Sequence, residues 1–366
     1  MKNLFMFFAV VCLVSVFVSS AIARDPVVDV LVNKGIVSED EIAAAEAAAG
    51  GTWGSSSPDV TMGGYGQARY TIYDDDSGMD DTFSLSRLYW MMRGTVAEDW
   101  SVHVGAYLSH DFVLLDATLT WEIDPMFNLS AGQFLLPFSF EQLTSSSKLD
   151  TVDRAVISDS CCDHRDIGVR ANGSLMENKV TYGVAIVNGN GINTTDNNDK
   201  KDVVARVQVQ PFLGTEGPLA GLLVAGAFQT GEQPMMGVDA LGAEIVLGDE
   251  KRTRYIGTAV WKFEDIKLQG EYLQQELEDS GITADGYYVL GTYDLEVAGQ
   301  TVQPVVKYEQ MDPNDDVDDD ETKRTTLGVN WFAGPKTKIS VNYRIIDEEP
   351  VDVDNNELIA QWQQAF

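Results

Sequence analysis

Eleven cations stand out by type and position. Arg69, Arg87, Arg93, Arg170, Arg206, Arg254, Arg324 and Arg344 fall on the polar positions of short alternating runs, while Lys148, Arg154 and Arg165 lie in a stretch without alternation. A guanidinium is a planar fork of donors that matches carboxylate and phosphate oxygens. Rings of such cations around a pore select for anions. Lys262, Lys267, Lys307 and Lys338 share the polar positions, against Asp116, Glu122, Glu271 and Glu309. The polar face is therefore net basic in a chain whose formal charge is −32. The surplus acid sits in apparent turns: Asp74 to Asp76, Asp80-Asp81, Asp312 to Glu321 and Asp347 to Asp354. So acidic a chain lacks the basic footprint that nucleic acid requires. Any single arginine is better explained as solvated or paired across strands than as a ligand. The expectation rests on the collective sign: pore-lining groups that hold small anions.

The elements that would position these groups are strands. Val203, Ala205, Val207 and Val209 alternate with Arg206, Gln208 and Gln210, and Ile339, Val341, Tyr343 and Ile345 with Lys338, Ser340, Asn342 and Arg344. Val113, Leu115, Ala117, Leu119 and Trp121 alternate with Asp116, Thr118 and Glu122 in the same way. A soluble barrel would turn the apolar set inward, a membrane barrel outward. The connections decide between them. Short turns such as Asp124-Pro125, Glu264-Asp265 and Ala298-Gly299-Gln300 alternate with long acidic or irregular ones, the asymmetry of outer-membrane barrels. The expectation is an all-β, transmembrane antiparallel barrel of about sixteen strands, a number that leaves an aqueous channel. That count assigns Thr230 to Lys251, including the weak run Val238 to Leu247, to an outer loop.

The N-terminus reads differently. Residues 1–23 combine Lys2, an apolar run and Ala21-Ile22-Ala23, the pattern of a cleaved secretory signal peptide. Residues 24–57 read as a short periplasmic helical hairpin and Gly/Ser linker, with Ser38 and Glu41 as a capping box. The barrel is expected over 58–366, ending on Phe366.

One stretch interrupts the wall. GQFLLPFSFEQLTSSSKLDTVDRA, followed by Arg165 and Ile167-Gly168-Val169, holds a long segment, about 137–166, with no strand pattern. Long loops inside a compact domain are usually functional. Here the expectation is a constriction loop folded into the lumen. These residues resemble the phosphate-selective porin O and P family, with its G-x-F-x-x-P-F-S opening, Ser/Thr-rich stretch, Asp-Arg pair and return to the wall. The resemblance implies a trimeric, sixteen-stranded outer-membrane channel whose third outer loop enters the pore. Lysines are few here, so the family is better supported than a phosphate preference.

The function expected is passive diffusion of small hydrophilic solutes, anions such as phosphate preferred, across the bacterial outer membrane. A barrel sheath or structural protein, for example around an electron-transfer partner, is the alternative. An enzyme is not expected: His103, His110 and His164 accompany no serine motif. Adjacent Cys161 and Cys162 leave a vicinal disulfide, thiols or a link to another chain open. With His164 they do not make a four-ligand zinc site, and no metal or cofactor is expected.

Overall fold

The computed structural model describes residues 59–74, 77–109, 111–162, 164–238, 244–350 and 355–366. The expected signal peptide and helical hairpin lie outside them. Seventeen strand segments form one antiparallel sheet that closes on itself. They are β1 (Asp59–Tyr73), β2 (Thr82–Ala97), β3 (Trp100–Tyr107), β4 (Val113–Asp124), β5 (Phe127–Leu135), β6 (Arg165–Leu175), β7 (Val180–Val187), β8 (Asp202–Val209), β9 (Leu222–Val238), β10 (Glu244–Phe263), β11 (Ile266–Leu277), β12 (Ile282–Tyr293), β13 (Leu295–Val297), β14 (Gln300–Asp312), β15 (Thr322–Gly334), β16 (Thr337–Glu348) and β17 (Glu357–Ala365). β12 and β13 pair with the same neighbour, β14, on either side of Asp294 and make one wall strand. The barrel is therefore sixteen-stranded. Closure is the β1–β17 ladder, from Tyr65 opposite Ala365 to Tyr73 opposite Glu357.

Burial is inverted relative to a soluble barrel. On β16, Val341, Tyr343 and Ile345 are exposed while Ser340, Asn342 and Arg344 are buried. On β15, Leu327, Val329 and Trp331 face out and Thr326 and Asn330 face in. The outer face also carries two aromatic belts. Trp100, Trp121, Tyr293, Trp331 and Trp362 lie toward the short-turn end, and Phe83, Tyr255, Tyr272, Tyr287 and Tyr308 toward the long-loop end, all exposed. Trp100 and Trp121 are cross-strand partners stacked at 5.6 Å. Rings at both rims with aliphatic side chains between them are how a barrel meets a bilayer. No helix among the described residues is long and apolar enough to span a membrane.

The turns explain the register. Ala298 and Gly299 both have positive φ, 52° and 78°, the type I′ geometry whose twist matches the flanking strands. Two sequence readings need correction. Thr230 to Lys251 is not wholly an outer loop, because β9 and β10 stay paired out to Val238 opposite Glu244. The strands continue beyond the wall as a hairpin, so the count of sixteen survives with a different outer connection. Leu115 is not on the outer face. A bulge opposite Gly105 and Ala106 shifts the phase of β4, and Leu115 is buried beside Asp116.

At the short-turn end the C-terminal residue completes the closure. Phe366 N donates to Gly64 O at 3.0 Å and Gly64 N to Phe366 O at 3.3 Å. A Cβ on Gly64 would fall 2.2 Å from Tyr89 O and 2.6 Å from the Phe366 ring. Gly64→Val therefore cannot be accommodated without moving backbone. We expect it to abolish the compact, heat-modifiable band on SDS gels that a closed barrel gives, and folded protein with unshifted mobility would count against this account of closure.

Candidate functional site

Between β5 and β6 the chain leaves the wall and crosses the lumen. Its ordered pieces are two short helices, α1 (Phe140–Leu143) and α2 (Val156–Ser160), and a 3₁₀ turn at Ser146–Lys148. Ser139 caps α1 through its hydroxyl, which accepts from Gln142 N. Phe134, Leu136, Phe138 and Ile157 join Tyr288, Leu290 and other inward apolar wall residues in one buried cluster. Gly286 admits Ile157: a Cβ there would meet Ile157 Cγ2 at 2.5 Å. Cys161 and Cys162 belong to this cluster, with Cys162 Sγ 3.6 Å from Ile157 O. The inner wall is thus not uniformly polar. Part of it is an apolar seat for the inserted segment.

Polar tethers complete the seating. Glu271 on β11 accepts from Ser139 Oγ at 2.9 Å, Phe140 N at 2.7 Å and Glu141 N at 3.0 Å. A wall carboxylate so placed satisfies amides at the start of α1 that have no intrahelical partner. Val156 N donates to Glu309 at 3.0 Å and Val152 N to Asn342 at 2.9 Å. Lys338 donates to Leu149 O at 2.7 Å, and Lys267 pairs with Asp150 at 2.7 Å. The strongest anchor is Asp153. Arg69 approaches it at 2.9 and 3.0 Å, Arg87 at 3.3 Å and Arg344 at 2.5 Å. Burial alone would raise its pKa, but Arg344, Arg69 and Arg87 outweigh burial and hold it well below the usual carboxylate range.

This divides the sequence-derived cations into two groups. Arg69 and Arg344 hold Asp153, Arg206 donates to Phe138 O, Arg324 pairs with Glu309 and donates to Arg154 O, and Arg254 bonds Gln275 at 2.8 Å. These five do not line the cavity of about 1500 Å³ between the inserted segment and β1–β6. The other six, Arg87, Arg93, Lys148, Arg154, Arg165 and Arg170, border it. Even there, some are engaged. Arg154 donates to Glu141 O, Ser146 Oγ and Thr144 O. Arg165 makes a two-pronged pair with Asp116 at 3.0 and 3.1 Å. Among the described residues, Arg93, Lys148 and Arg170 have no ion pair within 4 Å. The carboxylates on the same cavity are Asp116, Glu122 and Asp159, so its lining is net positive.

Sequence reasoning missed the anchoring acids Asp150, Asp153 and Glu271 as a set, and the tyrosines of the open side, Tyr65, Tyr89 and Tyr107. The signal that could have found the acids is that the segment carries Asp150, Asp153 and Asp159 opposite a basic wall. A depressed pKa gives Asp153 a stabilising contribution present above its unfolded value of about 3.9 and lost as pH falls through the lower folded value. Single-channel current should therefore stay quiet from pH 7 to pH 5 and become noisy only in stronger acid. Asp153→Asn should bring the noise at pH 7, because three arginines lose their common counter-charge; a quiet Asp153→Asn channel would remove the anchor role.

The comparisons agree with this architecture. The model of the family described as phosphate-selective porin O and P matches residues 60–358. Porin O of Pseudomonas aeruginosa is 24% identical over 386 residues, covering 83% of this chain and 88% of the relative. In fold the chain is similar to OmpT of Vibrio cholerae, with TM-score 0.60, 14% identity, and coverage of 85% of this chain and 99% of that one. It is also similar to the outer membrane channel DcaP of Acinetobacter baumannii, with TM-score 0.58, 13% identity, and coverage of 84% and 97%.

Proposed function

The chain belongs to the phosphate-selective porin O and P family, and from that premise we propose that its open half-lumen is an anion-preferring passage. The protein is an outer-membrane diffusion channel for small solutes. The observation that carries the anion preference is the sign of the cavity: six cations against three carboxylates, with Arg93, Lys148 and Arg170 free of ion pairs among the described residues. Potential in a narrow, low-dielectric passage is set by such nearby groups rather than by net charge. Exposed acids on the outer connections are screened within about 10 Å at ordinary salt.

Arg69, Arg206, Arg324 and Arg344 reach from wall strands to the inserted segment, and their role is to fix the bore. The same reading makes the protein a channel and not an enzyme, exported by a cleaved leader at residues 1–23 and assembled as a homotrimer, the last on the family resemblance alone. A sheath around another chain is the weaker reading, because the segment between β5 and β6 already fills part of the lumen.

Reversal potential in a potassium chloride gradient tests the selectivity. Wild type should reverse on the anion side, and Arg93→Glu should move the reversal potential toward cations with the barrel intact. Cation preference in wild type would falsify the anion reading.

A further inference from the structure

Resting on that anion passage, we propose that it favours organic anions with a flat apolar body, aromatic carboxylates as a class, held by Arg93 and Arg170 with the ring against a tyrosine strip. Tyr65, Tyr89 and Tyr107 are successive cross-strand partners on β1, β2 and β3. Their ring centroids lie 5.5 and 5.8 Å apart, and all three border the cavity. Tyr89 Oη donates to Asp116 at 3.3 Å, which fixes that ring from its far end. Tyr65 is buried and Tyr89 and Tyr107 are half-buried, and such aromatic faces give nothing to a small hydrated ion.

Both cations border the same cavity, Arg93 from β2 and Arg170 from β6. Arg93 lies four residues from Tyr89 on β2, on the same face, and pairs across the sheet with His103. Arg170 lies over the Phe134 ring at 4.8 Å and donates to Leu135 O at 3.3 Å. Its Nε is buried with no hydrogen-bond partner. Neither arginine makes an ion pair among the described residues, whereas Arg69, Arg87, Arg165, Arg324 and Arg344 all do. Two guanidiniums without ion pairs among the described residues therefore border one cavity with three tyrosines. Inorganic phosphate would use the first and ignore the second. An aromatic carboxylate uses both, its carboxylate on a guanidinium fork and its ring on the strip.

The test is block of chloride current in planar bilayers by benzoate, acetate and phosphate, using the full-length protein. Benzoate should reach half-block at a concentration about tenfold below acetate, and also below phosphate, since an aromatic contact is worth up to about a decade in affinity. Tyr89→Phe should keep that ratio, while Tyr89→Leu and, independently, Tyr107→Leu should bring benzoate and acetate together. Equal half-block by benzoate and acetate in wild type, tighter block by phosphate, or a ratio unchanged in both leucine variants would overturn the proposal. The salt-gradient reversal potential separates this from failure of the anion reading, because a channel can prefer chloride to potassium and still not distinguish benzoate from acetate.

Discussion

Closure of the sheet is the constraint from which the rest follows. In hydrocarbon an extended strand must pair its N–H and C=O groups with neighbours, and only a ring of strands leaves no edge. The β1–β17 ladder supplies that last seam. Once the ring exists, the two-residue repeat of each strand has only two destinations, lipid and lumen. Val341, Tyr343 and Ile345 go to one and Ser340, Asn342 and Arg344 to the other. The inner face is then rich in polar groups that must find water or each other.

The inserted segment meets much of that demand. It brings carboxylates and main-chain carbonyls to a basic wall, and its own amides to Glu271, Glu309 and Asn342. Asp153 among Arg69, Arg87 and Arg344 is the densest exchange. The apolar cluster around Phe138, Ile157 and Tyr288 adds attraction without direction, while the tethers add direction. Together they hold an irregular segment against one side of the barrel and leave the other side open. Charge on the wall thus serves two ends, and pairing decides which. Arg324 on Glu309 fastens the segment. Arg93 and Arg170, without such partners, border the cavity that remains open.

The sequence by itself determined the class of fold, its orientation and the segment that breaks it. Two-residue alternation, short turns alternating with long ones, and a stretch with neither pattern are local properties, written in neighbouring residues such as Ala298-Gly299. It also put Arg69, Arg93, Arg206 and Arg344 on the lumen side, because face follows from parity along a strand. Where parity breaks, as at the bulge beside Leu115, the reading breaks with it. The β9–β10 hairpin was illegible for a related reason: pairing beyond the wall depends on a partner strand, not on one strand's pattern. What only the tertiary structure decided is which arginines are consumed. Arg344 and Arg93 look alike in sequence, yet one meets Asp153, 191 residues away along the chain, and the other meets open space. Ion pairing falls off over a few ångströms, and distances of that size are set by how the crossing segment lies in the closed ring.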